Sequence, residues 1–207
     1  QPFDQLLMVS GPDRYHQFRH AFRDEDLRAD RQPEHTQVDM EMSFMTAAGI
    51  MDLLENLFQD VFEEVLGAKL GKPFPKMTYD EAILRYGSDK PDLRFGLPII
   101  EVSDIFRGSE FAVFARALSD GGVVRAIRAP GAASYTRRQI DELTEFALAH
   151  GAKGLAYLII KEKLQVQSPI AKFLSSDELD SVLEETAAEE GDIIFFVADR
   201  AEVAVAV

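Results

Sequence analysis

Phe22 to Glu34 reads F-R-D-E-D-L-R-A-D-R-Q-P-E, a run of alternating charge with Leu27 and Ala29 as its only aliphatic residues. On either side, Arg14 to Phe22 and Thr36 to Phe44 alternate β-formers with polar residues, the period-2 pattern of strands. The stretch therefore reads as a hairpin with a long polar loop. Successive side chains on a strand point to opposite faces, so Val38, Met40, Met42 and Phe44 share one face, and Gln37, Asp39, Glu41 and Ser43 the other. A face of amides and carboxylates is either solvated or the floor of a binding site. Arg14, Arg19, Arg23, Arg28 and Arg31, with Arg94 further on, supply cations without a single lysine among them. That choice suits forked recognition of phosphate or carboxylate, although a solvated loop of mixed charge would also use it.

Downstream, Ile50, Leu54, Leu57, Val61 and Val65 recur at helical spacing, which predicts a helix over Ala47 to Leu66 ended by Gly67. After Pro73 and Pro75, Thr78-Tyr79-Asp80-Glu81 has the capping-box pattern and opens a short helix to Tyr86. Tyr86 to Gly96 is too rich in Gly, Pro and charge for regular structure. Phe111 to Leu118 and Gly122 to Ala129 read as strands around the turn Ser119-Asp120-Gly121-Gly122. Thr136 and Ser175 begin further capping-box helices, Leu155 to Ile160 and Ile193 to Val197 read as apolar strands, and Glu202 to Val207 as one more strand. This mixture without strict alternation indicates an α+β chain of two units, 1–108 and 109–207.

The net charge of −14 over 207 residues disfavours nonspecific polyanion binding and leaves only local arginine clusters for phosphate. Cysteine is absent, so disulfides and thiolate metal sites are excluded. No apolar run approaches the roughly 18 residues of a membrane span. These features are consistent with a cytoplasmic protein. His16, His20, His35 and His150 have no metal-ligand spacing, and neither a nucleophile elbow nor a P-loop is present.

The stretch from Phe22 to Glu41 resembles the second signature motif of class II aminoacyl-tRNA synthetases, in the form of bacterial aspartyl-tRNA synthetases. Y-G-S-D-K-P-D-L-R-F-G-L at Tyr86 to Leu97 resembles the segment before that family's insertion. G-A-K-G-L-A-Y at Gly151, S-P-I-A-K-F-L at Ser168 and G-D-I-I-F-F at Gly191 are similar to the inserted GAD domain. The resemblance implies that 1–108 is part of the class II antiparallel-sheet catalytic domain and 109–207 the α+β GAD domain. It implies an aspartate-tRNA ligase using ATP with Mg2+, with L-aspartate and tRNA for aspartate, or also for asparagine, as partners. The parent would be a homodimer.

Under that resemblance Arg23 is the catalytic arginine, bridging the α-phosphate and the substrate carboxylate. Arg23, Asp24, Glu25, Gln32, His35 and Gln37 form the ATP-facing set, Gln1, Arg23 and Asp39 hold aspartate, and Arg28 and Arg31 meet tRNA. No residue is assigned to a metal, because the usual acidic ligand for Mg2+ lies in a part of the family outside this segment. Asp4 stands where the family has a substrate-binding lysine, and an acid there would repel the aspartate side chain. His35 replaces a stacking phenylalanine, and His20 an arginine. The family's anticodon-binding domain and third motif are also outside the segment, so aminoacylation by these residues alone is not expected. A tRNA-binding module without catalysis, or a synthetase paralogue that lost activity, are the alternatives.

Overall fold

The computed structural model describes residues 2–27 and 31–207. Gln1 and Arg28, expected at the aspartate and tRNA sites, lie outside the described residues. The chain divides into two compact units, 1–75 and 76–207. The boundary expected between 108 and 109 falls within the second of these.

In the first unit, helix α1 (Pro2–Val9) precedes the hairpin of β1 (Arg14–Phe22) and β2 (Glu34–Met42), and α2 (Ala47–Leu66) follows. The strands pair antiparallel over their full length, from Arg14 opposite Met42 to Phe22 opposite Glu34. The first strand is where the alternation placed it. The second begins and ends two residues earlier than Thr36 to Phe44, leaving Ser43 and Phe44 outside it with Phe44 at a φ of 58°. Arg23 N donates to Pro33 O at 2.8 Å just beyond the last pair. Helix α2 begins at Thr46, whose side chain accepts from Gly49 N, and ends at Gly67 in the left-handed conformation. None of its residues is fully buried within the chain, although its apolar stripe is as regular as the spacing implied.

The second unit contains α3 (Tyr79–Tyr86), β3 (Ile100–Glu101), α4 (Ala112–Ser119), β4 (Val123–Ala129), α5 (Arg137–Ala149), β5 (Ala156–Ile160), β6 (Val166–Gln167), α6 (Ser176–Glu185), β7 (Ile193–Asp199) and α7 (Ala201–Ala206). Its strands form an antiparallel sheet in the order β3-β4-β7-β5-β6. On one face Val124, Ala126, Leu158, Ile160, Ile194 and Phe196 pack with Phe106, Phe114 and Val182 into the main core. On the other face Ile193 and Val197 meet Ile140 and Ala147 of α5 and Ala204 of α7 in smaller clusters.

Two expected strands are helices. Phe111 to Leu118 forms α4 because Phe114, with the half-buried Phe111 and Leu118, falls at helical spacing on one side and packs against the sheet. Glu202 to Val207 belongs to α7, where Val203 N and Ala204 N both donate to Arg200 O and Ala204 is buried against the sheet. In both cases a short run of alanine and valine carries no decisive period, and the packing partner chooses the conformation. Thr136 and Ser175 form full capping boxes with Gln139 and Glu178. At Thr78 the hydroxyl accepts from Glu81 N, while the Glu81 carboxylate pairs with Arg85 at 3.2 Å.

Candidate functional site

Register decides which side chains of the hairpin meet. Residues directly opposite each other share a face, so Arg19 lies beside Gln37, Gln17 beside Asp39 and Ala21 beside His35. Exposure alternates along both strands, with the face of Gln17, Arg19, Gln37 and Asp39 the less exposed. The opposite face carries Phe18 and Phe22, which are 75% and 72% exposed. Within this unit the polar face is the covered one. Helix α1 packs on both strands and brings Asp4 to that face, where Arg19 Nη2 donates to Asp4 Oδ1 at 3.1 Å and Oδ2 at 3.3 Å.

From Arg19 a line of polar contacts runs toward the loop. Arg19 Nε is 2.9 Å from Asp39 Oδ2. That oxygen is buried and accepts no aligned hydrogen bond, so this contact is an ion pair without a directed bond. Gln37 Nε2 donates to Asp39 Oδ1 at 2.6 Å, and Gln37 Oε1 accepts from Arg23 Nη2 at a longer 3.5 Å. Arg23 Nη1 stands 3.7 Å from Glu25 Oε1, and its side chain is half exposed. These loose contacts aim the guanidinium without saturating it.

Arg23, Glu25, Arg31, Gln32 and His35 line one pocket of about 220 Å³. Four of the six residues expected at an ATP site, together with one of the two arginines expected at tRNA, therefore converge where the loop leaves the strands. Gln37 joins them through Arg23, Asp39 follows one step along the strand, and Asp24 is exposed outside the pocket lining. Arg94 belongs to the second unit and is engaged by Asp92, whose carboxyl the Arg94 side chain and amide pull down to about 2. His20 faces the other side of the hairpin, 2.9 Å from Glu34.

Arg19 is the residue that sequence reasoning passed over. The sequence places it with the loop arginines, although an even spacing of four from Arg23 directs both to the same side of the hairpin. Its partners Asp4 and Asp39 come from a preceding helix and the opposite strand, and only the register and the packing of α1 join them.

This strand-loop-strand element brings a half-exposed arginine, a glutamate and a glutamine to the mouth of a loop beside a carboxylate, an arrangement with the chemistry to meet an anion at Arg23 and a cation at Asp39. The chain belongs to the tRNA synthetases class II (D, K and N), whose family model matches residues 1–201. Among its relatives, an aspartate–tRNA(Asp/Asn) ligase of Moorella thermoacetica is 54% identical over 96% of this chain. A protein of the same name from Syntrophomonas wolfei is 51% identical over 98%, and an aspartate–tRNA ligase of Geobacillus kaustophilus 53% identical over 97%. The chain spans about a third of the length of these relatives, 33 to 34% of each.

Proposed function

We propose that the full-length protein carrying this chain joins L-aspartate to tRNA in two steps. The carboxylate of aspartate attacks the α-phosphorus of ATP and pyrophosphate leaves. A ribose hydroxyl of the terminal adenosine of tRNA then attacks the acyl carbon, and AMP leaves. In the first step two anions must be held together while charge builds on phosphorus, which calls for a fixed, forked cation. Arg23 has that chemistry and a guanidinium not consumed by its neighbours. Its convergence with Glu25, Gln32 and His35 on one pocket, one contact from Gln37 and two from Asp39, carries this reading.

Within it, Glu25, Gln32 and His35 receive the nucleotide together with Asp24, His35 by stacking on the base. Gln37 holds Arg23, and Asp39 meets the ammonium of aspartate with Gln1. Arg31 and Arg28 contact the acceptor end of tRNA. Mg2+ would accompany ATP and offset the charge of its phosphates, and none of the described residues is assigned to hold it. Residues 1–108 serve as part of the catalytic domain and 109–207 as the GAD insertion. The parent works as a homodimer in the cytoplasm and charges tRNA for aspartate or also that for asparagine, in keeping with the names of the Moorella and Syntrophomonas relatives.

Aspartate-dependent exchange of pyrophosphate into ATP, measured on the full-length protein, tests the first step, and charging of the two tRNAs tests the second. Arg23→Lys keeps the charge and loses the fork, so exchange is expected to fall at least about 100-fold. A wild-type protein inert toward aspartate, or an Arg23→Lys variant with unchanged exchange, would overturn the assignment in favour of a tRNA-binding module or an inactive paralogue.

A further inference from the structure

Asp4, Arg19 and Asp39 form a trio of two carboxylates on one guanidinium, with a net charge of −1. The trio is asymmetric. Arg19 Nη2 donates to both oxygens of Asp4, at 3.1 and 3.3 Å, and Arg19 Nε and Nη2 also donate to the side-chain oxygen of Gln17 with its amide turned toward the guanidinium. Asp39 receives the closer approach, 2.9 Å from Nε, yet its Oδ2 accepts no aligned hydrogen bond. Asp4 is also the more buried acid, with 14% of its side chain exposed against 23% for Asp39. A carboxylate has room for about four hydrogen bonds, and among the described residues Asp39 makes one, from Gln37.

We propose that Asp4 is a positioning residue for amino-acid recognition: by holding Arg19 it leaves Asp39 incompletely paired, ready for a substrate ammonium. This rests on the synthetase reading given above. Without Asp4, the guanidinium would turn its fork onto Asp39, make a neutral bidentate pair and remove the charge that an ammonium needs. An acid at position 4 is then no obstacle to aspartate, because the Arg19 guanidinium beside it offsets its charge. The effect reaches the nucleotide side only weakly, since the Gln37 contact with Arg23 is the long one at 3.5 Å.

The two views of Asp4 predict opposite signs. In pyrophosphate exchange by the full-length protein, Asp4→Asn is expected to raise KM for aspartate about tenfold, the scale of one hydrogen bond to a charged group. Asp4→Lys turns the net charge of the trio from −1 to +1 and is expected to raise it about 100-fold. KM for ATP and kcat should stay within about threefold, which a general loss of folding would not allow. In the double variant Asp4→Asn/Arg19→Gln the capturing guanidinium is gone, and KM for aspartate should return to within about threefold of wild type.

Asp4→Lys binding aspartate more tightly than wild type would overturn the proposal, since position 4 would then oppose the substrate. So would an Asp4→Asn variant with unmoved KM, one in which KM for aspartate and ATP rise alike, or a double variant no better than Asp4→Asn. If Asp4→Lys fails to fold, the near-isosteric Asp4→Asn decides alone. Absence of aspartate-dependent exchange in wild type refutes the synthetase reading itself, whereas normal wild-type exchange with any of these variant results refutes this inference only.

Discussion

Replacing Asp192 should destabilise the second unit, and the geometry sets the size. Asp192 is 3% exposed at the start of β7. Its Oδ1 accepts from Gly131 N at 2.9 Å, and its Oδ2 from Glu189 N at 2.9 Å and Arg128 Nε at 2.6 Å. One side chain thus ties together the end of β4, the loop after α6 and β7. Removing it leaves two backbone amides and a guanidinium without their acceptor, each loss worth about 1–3 kcal/mol. Arg128, a quarter exposed and also 3.5 Å from Glu189, recovers part of its hydration. We therefore expect Asp192→Ala to destabilise the unit by about 4 kcal/mol and Asp192→Asn, which keeps one acceptor oxygen, by about 2 kcal/mol.

The acid dependence has a defined sign. Burial alone would raise the Asp192 pKa, but the Glu189 and Gly131 amides and Arg128 outweigh it and hold the carboxyl below its ordinary value. A group depressed in the folded state stabilises it above the unfolded pKa, and that contribution fades as pH falls through the folded value. The gap between wild type and Asp192→Asn should be full at pH 7 and shrink below about pH 4. Urea unfolding of the chain followed by far-ultraviolet circular dichroism measures the gap, and amide exchange at Gly131 and Glu189 localises it. Ala and Asn variants equal within about 0.5 kcal/mol, or a gap that does not narrow in acid, would refute the reasoning.

Arg125 should behave in the opposite way: it is buried and 3.0 Å from the more exposed Glu101, and its Nη1 has no hydrogen-bond partner among the described residues. Arg125→Met, measured by the same unfolding experiment, is expected to change stability by less than about 1 kcal/mol or to raise it, because an apolar side chain of similar length relieves the unpaired donor. Gly122 should tolerate no side chain, since an added Cβ would lie 2.6 Å from Asp199 O and 2.9 Å from Ala117 O, both backbone atoms. Gly122→Ala is expected to cost at least about 2 kcal/mol in thermal or urea unfolding, by forcing α4 and β7 apart.

Some motifs that carry the family resemblance owe their residue types to structure. The Asp of G-D-I-I-F-F is Asp192, and the Ser of S-P-I-A-K-F-L is Ser168, whose hydroxyl donates to Tyr157 O at 2.6 Å and accepts from Ile170 N at 3.0 Å. In the hairpin the balance reverses. Arg23 is half exposed, and Arg23, Gln37 and Asp39 form one line of polar contacts along a strand face rather than part of an apolar core.

From the sequence alone came the hairpin, the long amphipathic helix and three helix starts, because strand period, helix period and caps are encoded within a few neighbouring residues, whereas the set of residues around Arg23 came from the family resemblance. The family resemblance was legible for the same reason, since its motif is one unbroken stretch. Tertiary structure alone decided the states of Phe111 to Leu118 and Glu202 to Val207, whose short apolar runs suit either conformation until something packs on them. It also decided the meaning of Asp4. Read along the chain, Asp4 is a negative charge in a place that should bind one; read in space, it accepts from Arg19, fifteen residues away. Charges act through distance and direction, and neither is written in the order of the residues.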